Sequence, residues 1–197
     1  MAIVINGSGT VTGLAVGGLP DGTVDDGTVA SGIASSKLTG ALPAISGASL
    51  TGFTDAQMPT GSVLQVVQGT TSTKASTTSA GYADTGLTAT ITPSSSSNKI
   101  LVIISTSCYN SADATGYLRL LRNVNSNLKD YGYPSMYNGV VGLDYVPIHY
   151  LDSPSSTSAN TYKLQHKRTG GTSAFHSNYG DGGGTMPSFI TLLEIAG

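Results

Sequence analysis

The sequence has 197 residues, of which nine are Lys or Arg and eleven are Asp or Glu, so charged residues make up only 10% and the net charge is −2. An ordinary soluble domain carries about 25% charged residues. The absence of a basic cluster argues against nucleic acid as a partner. No apolar run approaches the roughly 20 residues that cross a bilayer, and the first residues lack a signal peptide's cationic region. We therefore expect no membrane insertion, and assembly in a cytoplasm.

Residues 1–60 differ sharply in composition from the rest of the chain, since they contain no Tyr and no Arg and are punctuated by Gly. Single apolar residues recur every three to five positions, which is typical of neither a helix nor a strand. One apolar residue per short turn cannot build a core within one chain, because the ordering cost exceeds the burial gained. We expect three parallel copies to wind into a thin shaft. A disordered linker is the alternative.

Residues 61–197 are predicted to form an all-β domain, an antiparallel β-sandwich of the jelly-roll kind. Runs of β-branched and aromatic residues alternate with clusters of Gly, Pro, Ser and Asn, and no amphipathic helix is visible. The run 100–104 is continuously apolar, so we expect it to be covered by the opposite sheet and by another subunit. The predicted strands are 62–68, 86–92, 99–109, 117–123, 128–133, 144–151, 161–167, 173–178 and 188–195.

Two groups of segments carry a family resemblance. GGLPDGTV at 17–24 and SKLTGALPAISGASLT at 36–51 resemble the shaft segments of tail-fibre and virion structural proteins from marine and cyanobacterial bacteriophages. Five further segments are similar to the trimeric jelly-roll heads of those proteins: GSVLQVVQ at 61–68, GLTATITPS at 86–94, NKILV at 98–102, LDSP at 151–154 and ITLLEI at 190–195.

The resemblance implies a homotrimer on a phage tail or capsid surface, with residues 1–60 as attachment segment and shaft and residues 61–197 as the head, or knob. It transfers no catalytic residues, because that family's heads bind rather than cleave. The first residues include a strand-like run, Ile3, Val4 and Ile5, which could add to the sheet edge of another virion protein. We therefore expect these three residues to attach the trimer to the particle.

Enzyme chemistry has little support in the sequence. A glycan depolymerase would need paired carboxylates, but the acidic residues of 61–197 lie mostly in predicted turns and form no motif. No nucleophile elbow occurs. His149, His166 and His176 are too widely spaced for a metal site on one element, and Cys108 is expected to be a small buried hydrophobe. We expect no enzyme activity, no cofactor and no metal.

Two segments are candidates for receptor binding. Tyrosines crowd the region from 131 to 150, and Tyr with Ser, Gly and Asn favours adaptable recognition loops. The alternative is that these tyrosines pack on the sandwich with their hydroxyls reaching water. The second segment is 173–181. Together they supply the candidate residues, which are Tyr131, Tyr133, Tyr137, Asn138, Phe175, His176, Asn178, Tyr179 and Asp181.

The sequence therefore predicts a short tail fibre or fibre tip that adheres to a host-surface glycan. Repetition of weak sites on one trimer would raise the effective affinity. A capsid-decorating or cement knob with a purely structural role is the alternative, and a glycan-cleaving enzyme is a third class.

Overall fold

The structure, a computed structural model, describes residues 54–110, 115–123, 126–131, 142–180 and 186–197. The predicted shaft and the attachment residues Ile3, Val4 and Ile5 lie outside the described residues. The described part belongs to one compact unit, Gly52–Gly197. It contains ten strands and a short 3-10 helix, Asp55–Gln57. No helix among the described residues has the length and apolar character needed to cross a membrane.

All nine predicted strands are confirmed, with ends that differ by a few residues. A tenth strand, three residues long, was missed because its Ala-Ser-Thr sequence carries no apolar alternation. In chain order the strands are β1 (Val63–Thr71), β2 (Ala75–Thr77), β3 (Ala83–Ile91), β4 (Lys99–Asn110), β5 (Thr115–Arg122), β6 (Ser126–Tyr131), β7 (Gly142–Asp152), β8 (Asn160–Gly170), β9 (Phe175–Ser177) and β10 (Ser188–Ile195).

The strands form two antiparallel sheets. In the six-stranded sheet, β10 and β9 pair successively with one edge of β4, while β7 pairs with the other edge. β1 extends the sheet beyond β10, and β2 extends it beyond β9. The second sheet has four strands in the order β3-β8-β5-β6. The predicted β-sandwich is therefore confirmed.

The core lies between the two sheets and follows from strand alternation. In β3, burial alternates from Thr85 to Ile91, and in β8 it alternates from Asn160 to His166. Each fully buried Leu or Ile contributes roughly 1.5–3 kcal/mol to folding. Cys108 is buried, as expected. The largest fully buried side chains are Tyr162, Phe175, Leu87, Ile91, Ile100, Ile104, Leu118, Leu120, Ile148, Leu164, Ile190 and Leu192.

The apolar run in β4 is covered on one face only within this chain. Ile100, Val102 and Ile104 are buried against the four-stranded sheet, whereas Leu101 and Ile103 lie on the outer face and are half-buried. Coverage of that outer face by another subunit stays a prediction.

The sandwich has two distinct ends, set by the direction of β4. We call the end at Lys99 the proximal end, because Gly61, just before β1, donates its backbone N–H to the Ala196 carbonyl there at 2.9 Å. We call the end at Asn110 the distal end. At the distal end, Tyr109 lies directly opposite His176 of β9. With a rise of about 3.3 Å per residue, the twelve residues of β4 separate these ends by roughly 35 Å.

A buried carboxylate closes the proximal end. One oxygen of Glu194 accepts hydrogen bonds from the Ser94 backbone N–H at 2.6 Å and from Asn98 Nδ2 at 2.7 Å, while the other accepts from Gln65 Nε2 at 3.1 Å. Burial alone would raise the pKa of Glu194, but these hydrogen bonds outweigh it and hold the pKa below its usual value. Glu194 thus ties β10 to β1 and to the loop before β4.

Candidate functional site

Phe175 lies in the second predicted binding segment, 173–181, and it is 1% exposed. Its ring packs so closely over Gly116 of β5 that a Cβ atom there would overlap it. The His166 ring also lies beside it, with the ring centroids 5.9 Å apart. Because β9 alternates, the Phe175 ring lies in the core rather than at the surface where the sequence predicted a receptor contact.

Asn178 is also buried, at 0% exposed. Its backbone has a positive φ of 58°, a conformation that Asn tolerates better than most residues. Its amide nitrogen donates to the Thr73 carbonyl at 3.0 Å and to the Thr85 carbonyl at 2.9 Å, and its backbone N–H donates to the Ser107 carbonyl at 2.8 Å. Asn178 thus joins three segments inside the fold through its side chain and its backbone, and does not lie at the surface where the sequence predicted a receptor contact.

Tyr131 ends β6 and is half-buried against the core. Its hydroxyl is buried and has no hydrogen-bond partner among the described residues. Burial, with a smaller effect of Tyr150, raises the pKa of Tyr131. The remaining candidates, Tyr133, Tyr137, Asn138 and Asp181, lie outside the described residues.

His176 and Tyr179 do reach the surface, where they join Tyr109 in a distal aromatic cluster. Tyr109 and Tyr179 stack with their ring centroids 4.3 Å apart and their planes 11° apart. The His176 ring is tilted against both, at 5.6 Å from Tyr109 and 5.3 Å from Tyr179. The Lys74 ammonium lies 5.4 Å from the centre of the Tyr179 ring. The three rings are half-buried, so each keeps part of its surface exposed.

Cross-strand pairing holds this cluster in place. His176 lies between Ser76 of β2 and Tyr109 of β4, and Ser76 Oγ is 2.7 Å from His176 Nδ1. Burial, and next the charge of Lys74, lowers the pKa of His176, which favours the neutral ring at pH 7. Fixed aromatic rings beside hydroxyl, imidazole and ammonium groups can contact both the apolar faces and the hydroxyls of a sugar.

The described acidic residues of the sandwich serve mainly structural contacts. Asp152 accepts hydrogen bonds from Arg122 at 2.6 Å and from the Tyr162 hydroxyl at 2.7 Å. Burial, and then this contact with Asp152, raises the pKa of Tyr162 far above its usual value. Asp84 pairs with Lys163 at 2.9 Å. Within the described ranges, no group of three or more His, Cys, Asp or Glu residues could hold a metal ion.

The outer face of the six-stranded sheet is apolar, and sequence reasoning located only part of it. Five of the six exposed large hydrophobic residues in the described part of the chain belong to its outer face: Val63, Val66, Tyr145, Leu151 and Phe189. One row crosses four strands, from Val66 through Leu193 and Leu101 to Leu151, each residue directly opposite the next. We use the name apolar face for this row together with the next two rows toward the distal end.

The other two rows of the apolar face also lack charged residues. The next row contains Ile103, and the one after it contains Phe189. Neither row includes an Asp, Glu, Lys or Arg residue. The full rows are Gln68-Thr191-Ile103-His149 and Thr70-Phe189-Ser105-Pro147. The apolar alternation of β4 was a visible signal for this face, but the sequence could not identify its partners in β1, β7 and β10.

Comparison with known proteins finds a distant structural similarity and no matching family. No protein-family model matches the chain, and no curated protein matches it. Among solved structures, it is similar to the VP2 protein of infectious bursal disease virus, studied as a mutant and its derived T=1 particles, with 14% identity and a TM-score of 0.35. The similarity covers 67% of this chain and 36% of VP2, so the chain spans about a third of that protein's length. A likeness this distant carries no information about function.

Proposed function

We propose that this chain is a phage virion structural protein, a short tail fibre or fibre tip whose head adheres to a host-surface glycan. The observation that carries the proposal is the polarity of the sandwich. The described chain enters at the proximal end, where Gly61 pairs with Ala196, and the distal aromatic cluster lies at the other end of β4. A fibre head needs this arrangement, with its support at one end and its receptor contact at the other.

The connectivity of the head supports the family that the sequence resembles. β1, β10, β4 and β7 form one layer, and β3, β8, β5 and β6 form the other. A chain that alternates between two four-strand layers in this way has the connectivity of a jelly roll. We infer that residues 61–197 are a jelly-roll head and that residues 1–60 supply the shaft and the attachment.

We further infer that three copies of the chain meet at the apolar face. Val66 is 59% exposed and Leu151 is 53% exposed, and aligned apolar residues at such exposure mark an interaction site. A second copy is the occupant that the charges favour, because the three rows of the apolar face carry no Asp, Glu, Lys or Arg and the exposed Lys99 lies only at their proximal margin. The row from Val66 to Leu151 also lies toward the proximal end, where the described chain enters the sandwich.

Immunogold labelling of intact phage particles, with an antibody against residues 61–197, tests the location. Gold at the tail periphery is the expected result. Gold spread over the phage capsid would favour a capsid-decorating knob with a structural role and would overturn the adhesin proposal.

Binding of the purified chain to host cells tests the distal end. We expect Tyr179→Ala to reduce binding about tenfold, because the stacked pair with Tyr109 is lost. Asn127→Ala, at an exposed position of β6 in the other sheet, is the control and should bind as the unaltered chain does. Release of reducing sugar ends from host polysaccharide would instead favour the glycan-cleaving alternative.

A further inference from the structure

A polar row crosses the outer face of the four-stranded sheet. Asp84, Gln165, Arg119 and Asp130 lie directly opposite one another on β3, β8, β5 and β6. Arg119 donates from Nε and Nη2 to Gln165 Oε1, at 3.2 and 2.6 Å, and the Gln165 amide donates to Asp84. This row is fixed by the sheet, so its side chains keep their positions without a ligand.

Two cations meet at one aromatic ring beside this row. The Arg119 guanidinium carbon lies 3.9 Å from the centre of the Tyr82 ring, and the Lys167 ammonium lies 4.6 Å from it. Lys167 is also 5.4 Å from the centre of the Tyr117 ring. The Tyr82 hydroxyl donates to Asp130 at 3.2 Å, which fixes the ring. Cation–π contacts of this kind orient a guanidinium or ammonium group but leave its charge uncompensated.

Neither of these two cations forms an ion pair with an acidic residue that the structure describes. In the described part of the chain, the ion pairs are Arg122 with Asp152 and Lys163 with Asp84. Arg119 bonds to a neutral amide, and Lys167 contacts only aromatic rings in the network described above. Two like charges held close to one ring repel each other, and an anion between them would relieve that repulsion.

A cleft lies next to the row. The pairing of β3 with β8 is interrupted between Asp84 and Thr88, where Gly86 has a φ of 83°. The interruption borders a cleft of about 270 Å³ lined by Asp84, Thr88, Thr161 and Lys163, among others. Irregular strand pairing of this kind often lies beside functional sites. Hydroxyl, carboxylate and ammonium groups in a space of this size suit one sugar ring.

We propose that this surface, centred on Arg119 and Lys167, binds an acidic saccharide, with its anionic group between the two cations and a sugar ring in the cleft. The inference rests on the proposed glycan adhesion and adds to the distal aromatic cluster a second contact, on the other sheet, that selects acidic glycans. Nucleic acid fits less well, because Asp84 and Asp130 flank the two central cations, whereas a phosphate backbone needs a broad positive patch. A sugar gains from these carboxylates, since they accept its hydroxyl hydrogens.

Calorimetric titration of the full chain with a tetramer of galacturonic acid tests the site. We expect binding that weakens with salt, and at least tenfold weaker binding to the same tetramer with its carboxylates reduced to alcohols. A tetramer that carries sulfate groups in place of the carboxylates shows which of these two anions the site prefers. Equal affinity for the charged and neutral tetramers would overturn the proposal, as would tighter binding of a single-stranded oligonucleotide of equal charge.

Two variants locate the binding. Arg119→Gln with Lys167→Gln should weaken the charged tetramer at least tenfold, whereas Lys129→Gln, an exposed lysine on the neighbouring β6, should leave affinity within twofold. Unchanged thermal unfolding of the double variant excludes misfolding as the cause. A double variant that keeps full affinity would overturn the site. If the double variant adheres to host cells as well as the unaltered chain does, and a neutral glycan competes with that adhesion, the proposed acidic-saccharide site is overturned. The proposal that the chain is an adhesin would still stand.

Discussion

His166 is a histidine that the fold keeps uncharged. It is 1% exposed, its Nδ1 lies 2.9 Å from Ser177 Oγ, and its ring lies beside Phe175. Burial, and to a smaller extent the proximity of His176, lowers the pKa of His166 from 6.5 to about 4. Lys163 and Lys167 are close to His166 in the sequence, but the alternation of β8 places them on the outer face, because His166 is on the inward-facing side of the strand.

Stability should therefore fall in mild acid. Above about pH 6.5, His166 is neutral in the folded and unfolded chain, so its titration costs nothing. Between pH 6.5 and about 4, the unfolded chain binds a proton that the folded chain excludes, and the free energy of unfolding drops by roughly 3 kcal/mol. Urea unfolding at stepped pH values measures this loss.

Two substitutions assign the acid sensitivity. His166→Gln should flatten this part of the profile, whatever it does to stability at pH 7, because the buried titrating group is gone. Lys129→Gln, at an exposed position of β6, keeps every histidine in place and should leave the profile as it was. Equal profiles for the unaltered chain and His166→Gln would contradict the prediction.

Gly116 is required by the aromatic ring that covers it. A methyl group at this position would overlap the Phe175 ring, which is itself confined by His166. We expect Gly116→Ala to lower the free energy of unfolding by about 1–3 kcal/mol through overpacking. Chemical denaturation measures it, with Gly81→Ala as the control, because the nearest atom to a Cβ there is Ser79 Oγ at 3.4 Å. Equal stability of both variants would show that the ring moves freely.

At the scale of the element, β10 depends on the carboxylate near its end. Glu194→Gln replaces one acceptor oxygen with an NH2 group, which can only donate. That NH2 group would face the donors of Ser94, Asn98 and Gln65 and would leave hydrogen bonds unmade. We expect a loss of roughly 2–4 kcal/mol at pH 7. Because the pKa of Glu194 is lowered, its contribution is present above its usual pKa and disappears as the pH falls through the folded value.

The same denaturation measurement on Asp55→Asn provides the comparison. Asp55 is an exposed carboxylate in the 3-10 helix, so its loss should change stability by less than about 0.5 kcal/mol. A Glu194→Gln chain as stable as Asp55→Asn would mean that the hydrogen bonds at the proximal end contribute nothing net.

The strands were predictable because alternation and turn residues are local signals, whereas their neighbours in the sheets were not. β10 matches its predicted bounds, yet nothing in its own sequence indicates that it lies between β1 and β4. Likewise, the pairing of Tyr109 with His176 joins residues distant in sequence. The candidate site was therefore half predicted. His176 and Tyr179 were found from loop composition, but Tyr109, Lys74 and the Tyr82 network depend on pairings that only the folded chain defines.

At the scale of the whole molecule, the two outer faces of the sandwich differ. One carries the apolar row from Val66 to Leu151, and the other carries the polar row from Asp84 to Asp130. In light scattering coupled to size exclusion, we expect the full chain at three times its mass of 19.9 kDa. Val66→Asp with Leu151→Asp should give monomers, because the introduced carboxylates would lose their water in the interface and would repel those of the other two copies.

The control for assembly is Asn127→Asp, which adds a charge to exposed β6 on the other sheet and should leave the trimer intact. Both substituted apolar residues are exposed in the single chain, so the monomer should keep its far-ultraviolet circular dichroism. A doubly substituted chain that remains trimeric would show that the apolar face is not required for assembly and that residues 1–60 suffice to hold the three copies together.

The central position of β10 has a consequence for synthesis on the ribosome. β10 separates β1 from the adjoining edge of β4 and is the last strand described, so neither strand can complete its hydrogen bonding until almost the whole compact unit has been made. Long-range pairing of this kind folds slowly. Until β10 arrives, the nascent chain exposes unpaired, apolar strand edges that invite aggregation. A chain truncated before Ser188 should therefore accumulate in inclusion bodies rather than as a smaller soluble head.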